Sequence, residues 1–81
     1  MTDMKELHIL SIDELVGEQK TVNGDIRLYK ATLLETNDES LNGYVVTFMG
    51  EVHTFEHGKN AHRKFERLID KHIFYRWIEE V

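Results

Sequence analysis

Cysteine is absent from the 81-residue chain, and so are long apolar runs. Without cysteine there is no disulfide bond, thiolate metal site or cysteine nucleophile, and the composition fits a reducing compartment. The longest apolar runs are three residues long, Tyr44-Val45-Val46 and Ile73-Phe74-Tyr75, whereas a membrane-spanning helix needs about 20 apolar residues. We therefore expect a cytoplasmic protein that does not associate with membranes.

The length of the chain limits what it can build. We expect residues 1–81 to form one compact domain, in which folding buries only about 60% of the surface that the unfolded chain exposes. The composition, 41% hydrophobic and 31% charged, is typical of a folded globular domain rather than a disordered chain. Such a domain leaves little room for a deep catalytic cleft.

The N-terminal part of the chain predicts a short extended segment followed by a helical turn. Residues 7–10 are mostly apolar and typical of an extended segment. Ser11 and Glu14 have the spacing of a capping box, in which the hydroxyl caps a helix and the glutamate reaches back. We expect a helical turn over residues 11–16, ending at Gly17.

About four antiparallel strands are expected in the first two thirds of the chain. Asn23-Gly24 lies between two strand-like runs and predicts a tight hairpin whose two turn residues both take positive φ. Residues 26–34 alternate between two faces, and residues 44–49 are rich in β-branched and aromatic side chains. Residues 52–55 follow a glycine and complete the predicted sheet.

The C-terminal third changes to a helical period. Ala61, Phe65 and Leu68 recur at helical spacing and predict an amphipathic helix packed on one face of the sheet, so the fold class is α+β. On one straight helix, the apolar residues within 73–81 would lie on almost the opposite side from Phe65 and Leu68. Three alternatives stay open: the helix breaks near residues 70–72, the last residues form a strand, or the helix continues and a partner covers its second face. We favour a continued helix with a bend.

Positive charge gathers at the start of this helix, although the net charge of the chain is −5. Residues 1–56 hold eleven acids against four bases, whereas residues 57–67 hold four bases against one acid. Free backbone N–H groups and cationic side chains together favour an anion such as phosphate or carboxylate. The candidate anion-binding residues are Lys59, Arg63, Lys64 and Arg67. Alternatively, the protein's own acids neutralise these bases, with Glu56, Glu51 and the loop 38–39 as the nearest candidates.

Metal and catalytic motifs are missing. The spacing of His53, His57 and His62 would allow a strand, a turn and a first helical turn to bring them together around zinc. No H-E-x-x-H occurs, and neither Ser11 nor Ser40 lies in a G-x-S-x-G nucleophile elbow. We therefore expect a protein that is not an enzyme and that holds no metal or other cofactor.

Two surfaces are candidate partner-binding sites. Acidic residues cluster around the predicted turns, and if they share one side of the fold they would imitate the phosphates of a nucleic acid. Solubility alone is the simpler explanation of this acidity. An exposed aromatic C-terminal segment would form the second surface. The candidate partner-binding residues are Asp38, Glu39, Glu51, Phe74, Tyr75 and Trp77.

These patterns predict a small non-catalytic protein-binding module, an inhibitor or regulator of a larger protein that processes nucleic acid. The small, acidic and cysteine-free chain resembles mobile-element-encoded inhibitors of host nucleases in its general build. The alternative is direct binding of nucleic acid or phosphate through the basic helix start. The α-β-β-β-α order is similar to that of the double-stranded-RNA-binding domain, but the lysine-rich motif of that family is missing from this sequence. Both a monomer and a homodimer are compatible with the sequence.

Overall fold

The computed structural model describes residues 7–35 and 39–80, with residues 73–80 described by their backbone alone. In this part of the chain, four strands precede one helix. They are β1 (His8–Thr21), β2 (Gly24–Leu34), β3 (Ser40–Phe48), β4 (Glu51–Phe55) and α1 (Gly58–Glu80). The strands form an antiparallel sheet in the order β1-β2-β3-β4, and α1 packs against it. The predicted α+β fold, with about four strands and a C-terminal helix, is confirmed.

Strand β1 replaces the predicted helical turn, so that prediction is wrong. Three bulges interrupt its pairing with β2, and each adds one residue to β1 alone, at Leu10, Asp13 and Val16. Because a bulge occurs at every third residue, side chains on one face of β1 recur every three residues. Side chains on one face of a helix recur at nearly the same spacing. Pairing with β2, rather than local sequence, therefore decides the conformation of residues 11–16.

The residues of the expected capping box have partners within β1 and across to β2 instead. The hydroxyl of Ser11 donates to Oδ1 of Asp13 at 2.8 Å, and the hydroxyl of Thr32 donates to Oδ2 of the same carboxylate at 2.8 Å. Glu14 lies opposite Lys30, with 3.9 Å between its Oε1 and the lysine Nζ. The Ser11 hydroxyl therefore supports a bulge and caps no helix.

The β1–β2 and β3–β4 turns each contain two residues, but they differ in geometry. The β1–β2 hairpin is confirmed, although its turn residues are Val22 and Asn23, and the positive φ falls on Gly24 alone at 126°. The expectation of positive φ at Asn23 is therefore wrong. The β3–β4 turn has positive φ at both central residues, Met49 at 54° and Gly50 at 80°, as in a type I′ turn.

The main core lies between the sheet and α1. Its buried side chains come from β2, β3 and the helix, and they are Ile26, Leu28, Val46, Phe48 and Ala61. Phe65, Leu68 and Ile69 pack against this cluster with part of their surface still accessible. The helical spacing read from the sequence therefore identified the buried face of α1.

A second apolar cluster lies on the opposite face of the sheet. Ala31, Leu33 and Val45 are buried there. They occupy odd-numbered positions of β2 and β3, whereas the strand residues that face α1 occupy even-numbered positions, and successive side chains of a strand point to opposite faces. Leu7, Tyr29 and Leu41 pack against this cluster. The cross-strand partners of Leu33, Ala31 and Tyr29 in β1 continue its surface, and they are Ile9, Ile12 and Leu15.

The helix is continuous over the region where the sequence left three alternatives. Residues 70–72 lie inside α1, and the helical backbone extends to Glu80. A break near residues 70–72 and a final strand over residues 73–78 are therefore both wrong. No helix in the described residues has an apolar stretch long enough to cross a membrane.

Candidate functional site

The start of α1 is held against β3 by an aromatic contact. A Cβ atom on Gly58 would lie 3.0 Å from the ring of Tyr44, so a residue without a side chain lets the helix approach the strand. The same ring meets His62 edge to face, with 6.1 Å between the ring centres. Nδ1 of His62 lies 2.8 Å from the carbonyl oxygen of Gly58, to which it donates. These contacts position the first turn of α1.

Five lysine and arginine side chains project from the part of α1 whose side chains the structure describes, and we call them the basic flank. At 3.6 residues per turn, Arg63, Lys64, Arg67 and Lys71 lie within one arc of about 100° around the helix axis. The flank comprises Lys59, Arg63, Lys64, Arg67 and Lys71. Lys64 is half-buried, and the other four side chains are exposed. The structure thus places all four predicted anion-binding residues on one helix surface and adds Lys71.

The basic flank forms no direct ion pair with the described acids. No ion pair within residues 7–35 and 39–80 involves any of its five side chains. Oε1 of Glu51 lies 3.1 Å from Nε2 of His53, and Oε1 of Glu56 lies 3.9 Å from Nε2 of His57. Glu51 is therefore paired with His53 and not with a cation of the basic flank. Asp38 lies outside the described residues.

A depression adjoins the basic flank where α1 passes the β3–β4 turn, and we call it the turn depression. Its volume is about 330 Å³, and it is lined by Phe48, Met49, Glu51, Lys64, Leu68, Lys71 and His72. Phe48 and Leu68 form an apolar floor, while two lysines and one glutamate stand at the rim. The depression therefore offers apolar contact beside unpaired positive charge.

The carboxylates of the sheet have partners, in contrast to the basic flank. Nε of Arg27 donates to Glu18 at 2.7 Å, and Nη2 of Arg27 donates to Asp25 at 2.9 Å. The hydrogen bond from Arg27 lowers the pKa of Glu18 below its ordinary value, and the same bond raises the pKa of Arg27. With Lys20 at 3.9 Å from Asp25, this group of four charges is neutral.

Two residues of the predicted acidic surface, Glu39 and Glu51, lie at opposite ends of β3. Glu39 precedes β3 and Glu51 follows its far end, so about nine residues of strand, on the order of 30 Å, separate them. Phe74, Tyr75 and Trp77 lie in the helical backbone of α1, and their side chains fall outside the described part. The proposed role of these three aromatic residues stays a prediction.

The histidines have separate environments. His53 contacts Glu51, His62 contacts Gly58, and His72 contacts Asn23 and Phe48. No group of three potential ligands that could hold a metal ion occurs among the residues that the structure describes.

Sequence reasoning missed one further exposed surface. The side chains of Ile9, Ile12 and Leu15 are 39%, 48% and 49% exposed and share one face of β1. Their three-residue spacing was the available signal, but a helical turn has nearly the same spacing. Lys71 could have been found as well, because it lies four residues after Arg67 and therefore on the same helix surface.

Comparison of the chain with protein-family models, with curated proteins and with solved structures found no match. Any functional proposal therefore rests on the chemistry of the chain's own residues.

Proposed function

We propose that the protein is a non-catalytic protein-binding module that regulates or inhibits a larger protein. One observation carries this proposal: two unpaired cations of the basic flank, Lys64 and Lys71, border the turn depression, whose floor is apolar. Protein surfaces offer carboxylates and apolar side chains within a few ångströms of each other, so they complement such a site in both respects.

Charge and exposure favour a protein partner over a nucleic acid. The net charge of −5 opposes the approach of a polyanion, and Glu51 at the rim would repel nearby phosphates. Met49 at the depression and Val52 in β4 are 65% and 56% exposed, and apolar surface of this kind gains more from a protein than from a phosphate backbone.

Site-specific crosslinking tests this proposal. A benzophenone-bearing amino acid replaces Met49 in the full chain, or Leu10 as the matched control, because Leu10 is similarly exposed at 54% in β1. After irradiation in a nuclease-treated lysate, we expect crosslinked protein from position 49 and not from position 10. Absence of any protein crosslink from position 49 would contradict the proposal. Crosslinks from position 10 alone would place the binding surface on β1.

A charge-reversal variant adds a second readout to this experiment. Arg63→Glu/Arg67→Glu should remove the crosslinked product at position 49, because both side chains belong to the basic flank. Lys20→Glu/Lys30→Glu is the control, since it changes the net charge by the same amount. Its two substitutions lie on the sheet, away from α1, where Lys20 and Lys30 approach Asp25 and Glu14. The control should retain the product.

Direct nucleic-acid binding is the second candidate function. Lys59, Arg63 and Arg67 follow each other at four-residue intervals, so they form one exposed row about 6 Å apart along the helix axis. With Lys64 they could contact four phosphates, and counterion release predicts an affinity loss on the order of 100-fold between about 50 and 200 mM salt. Fluorescence anisotropy of a labelled duplex measures this loss. Binding should vanish in Arg63→Glu/Lys64→Glu, and a weak salt dependence would exclude this candidate.

A further inference from the structure

We infer that the turn depression binds one large apolar side chain that is flanked by carboxylates, in an acidic segment of the partner protein. This inference rests on the proposed function and names the chemistry of the partner at the same site.

The floor of the depression suits a single apolar side chain. Phe48 is only 6% exposed, and His72 packs edge to face on its ring at 4.5 Å between ring centres. Leu68 extends this floor along the helix, and Met49 stands above it with 65% of its surface exposed. A volume of about 330 Å³ is near the lower end of the range for ligand sites, about 300–1,000 Å³. The space is thus sufficient for one side chain.

The rim of the depression suits carboxylates on both sides of that side chain. Lys64 and Lys71 are seven residues apart, or about 10 Å along the helix axis. Two residues three positions apart in an extended segment are separated by about the same 10 Å. Arg67 lies on the helix between the two lysines. An extended acidic segment can therefore contact both lysines while an apolar residue between its acids enters the depression.

The carboxylate of Glu51 makes the rim less favourable for a phosphate backbone than for an acidic peptide. Its side chain is 72% exposed at the rim and lies 3.1 Å from Nε2 of His53. A nucleic acid carries one phosphate for every nucleotide and would bring negative charge against Glu51. A peptide can present an uncharged residue at that position, so the rim favours an acidic peptide over a polynucleotide.

Peptide binding by fluorescence anisotropy tests the inference with the full-length protein. The probe is a fluorescein-labelled heptapeptide with a central phenylalanine, one glutamate directly before it, a second glutamate two positions after it, and uncharged residues elsewhere. Replacing the phenylalanine by serine should weaken binding by about tenfold, because the apolar contact is lost. Lys64→Glu/Lys71→Glu should weaken binding of the phenylalanine peptide by about tenfold or more. The matched control Lys20→Glu/Lys30→Glu should bind both peptides like the wild type.

A second variant keeps the test independent of folding defects. Met49→Ser alters an exposed side chain outside the core, so the variant should fold, as a circular dichroism spectrum would verify. It should reduce the preference for phenylalanine over serine. Equal binding of the two peptides to the wild type, absence of peptide binding, or tighter binding of a hexanucleotide than of the peptide would each overturn the inference. A protein crosslinked at position 49 without peptide binding would overturn this inference and leave the proposed function standing.

Discussion

Nδ2 of Asn23 lies 3.3 Å from Nδ1 of His72, so the β1–β2 turn contacts the helix across 49 positions of sequence. The ring of His72 also meets Phe48 edge to face, with 4.5 Å between the ring centres and 63° between the planes. His72 therefore joins α1 to two separate parts of the sheet. Because Lys71 and Leu68 lie within one turn of His72, these contacts position one end of the turn depression.

Loss of the His72 ring should destabilise the fold more than loss of its hydrogen-bond partner. We expect His72→Ala to lower the free energy of unfolding by about 1–2 kcal/mol, because it removes the ring contact with Phe48 as well as the hydrogen bond. Asn23→Ala should lower it by about 0.5–1 kcal/mol. Urea denaturation at neutral pH measures both values. A smaller effect of His72→Ala than of Asn23→Ala would show that the ring contact contributes little.

Replacement of Met49 by asparagine should stabilise the protein. Met49 has a φ of 54°, a left-handed conformation that is unfavourable for most side chains and well tolerated by asparagine in type I′ turns. We expect Met49→Asn to raise the free energy of unfolding by about 1 kcal/mol, which raises the melting temperature by about 4–8 °C in a domain of this size. Calorimetry measures the shift.

The control for this substitution is Val22→Asn in the other hairpin. Val22 is similarly exposed at 53%, and its φ is not positive. Its replacement should change the free energy of unfolding by less than about 0.5 kcal/mol. Equal stabilisation by both substitutions would mean that the left-handed conformation at Met49 is not the cause.

An alanine at Gly43 should destabilise the sheet strongly. A Cβ atom there would lie 2.5 Å from Cδ1 of Leu33 and 2.6 Å from the carbonyl oxygen of Phe55. The side chain of Leu33 can shift, but the backbone of Phe55 belongs to β4 and cannot move without disturbing the ladder. We expect Gly43→Ala to lower the free energy of unfolding by about 3 kcal/mol. The neighbouring exposed Asn42→Ala serves as control in urea denaturation, and similar values for the two variants would refute this steric explanation.

The bond between Arg27 and Glu18 should make stability depend on pH in the acidic range. Because this hydrogen bond lowers the pKa of Glu18 in the folded protein, its contribution is complete above the ordinary value of 4.5 and disappears as pH falls through the lowered pKa. Arg27→Gln should therefore be less stable than the wild type at pH 7, and the difference should shrink at pH 3. NMR titration of the Glu18 carboxyl should show its pKa rising in Arg27→Gln.

Lys20→Gln is the matched control for this titration. It removes one positive charge near Glu18, but Lys20 is the last and smallest of the groups that lower this pKa. Its effect on the pKa of Glu18 should therefore be smaller than that of Arg27→Gln. An equal rise in the two variants would mean that net charge, rather than the hydrogen bond, sets this pKa.

Part of the candidate site could be read from the sequence. The crowding of Lys59, Arg63, Lys64 and Arg67 into one helical segment was visible, because helix geometry relates nearby residues in a regular way. The turn depression was not visible, since Met49 and Leu68 come from different elements and only packing brings them together. The pairing of Glu18 and Asp25 with Arg27 likewise depends on the register of β1 against β2.

The sequence by itself determined the class of the fold and the buried face of the helix. Alternation in β2 and the helical spacing of Ala61, Phe65 and Leu68 are local periods, and burial of one face follows from them directly. The tertiary structure alone decided residues 11–16, because a period of three fits both a helical turn and a bulged strand. Only hydrogen bonding to β2 distinguishes the two. The tertiary structure also decided which charges are neutralised, since ion pairs form between residues that the folded backbone brings together.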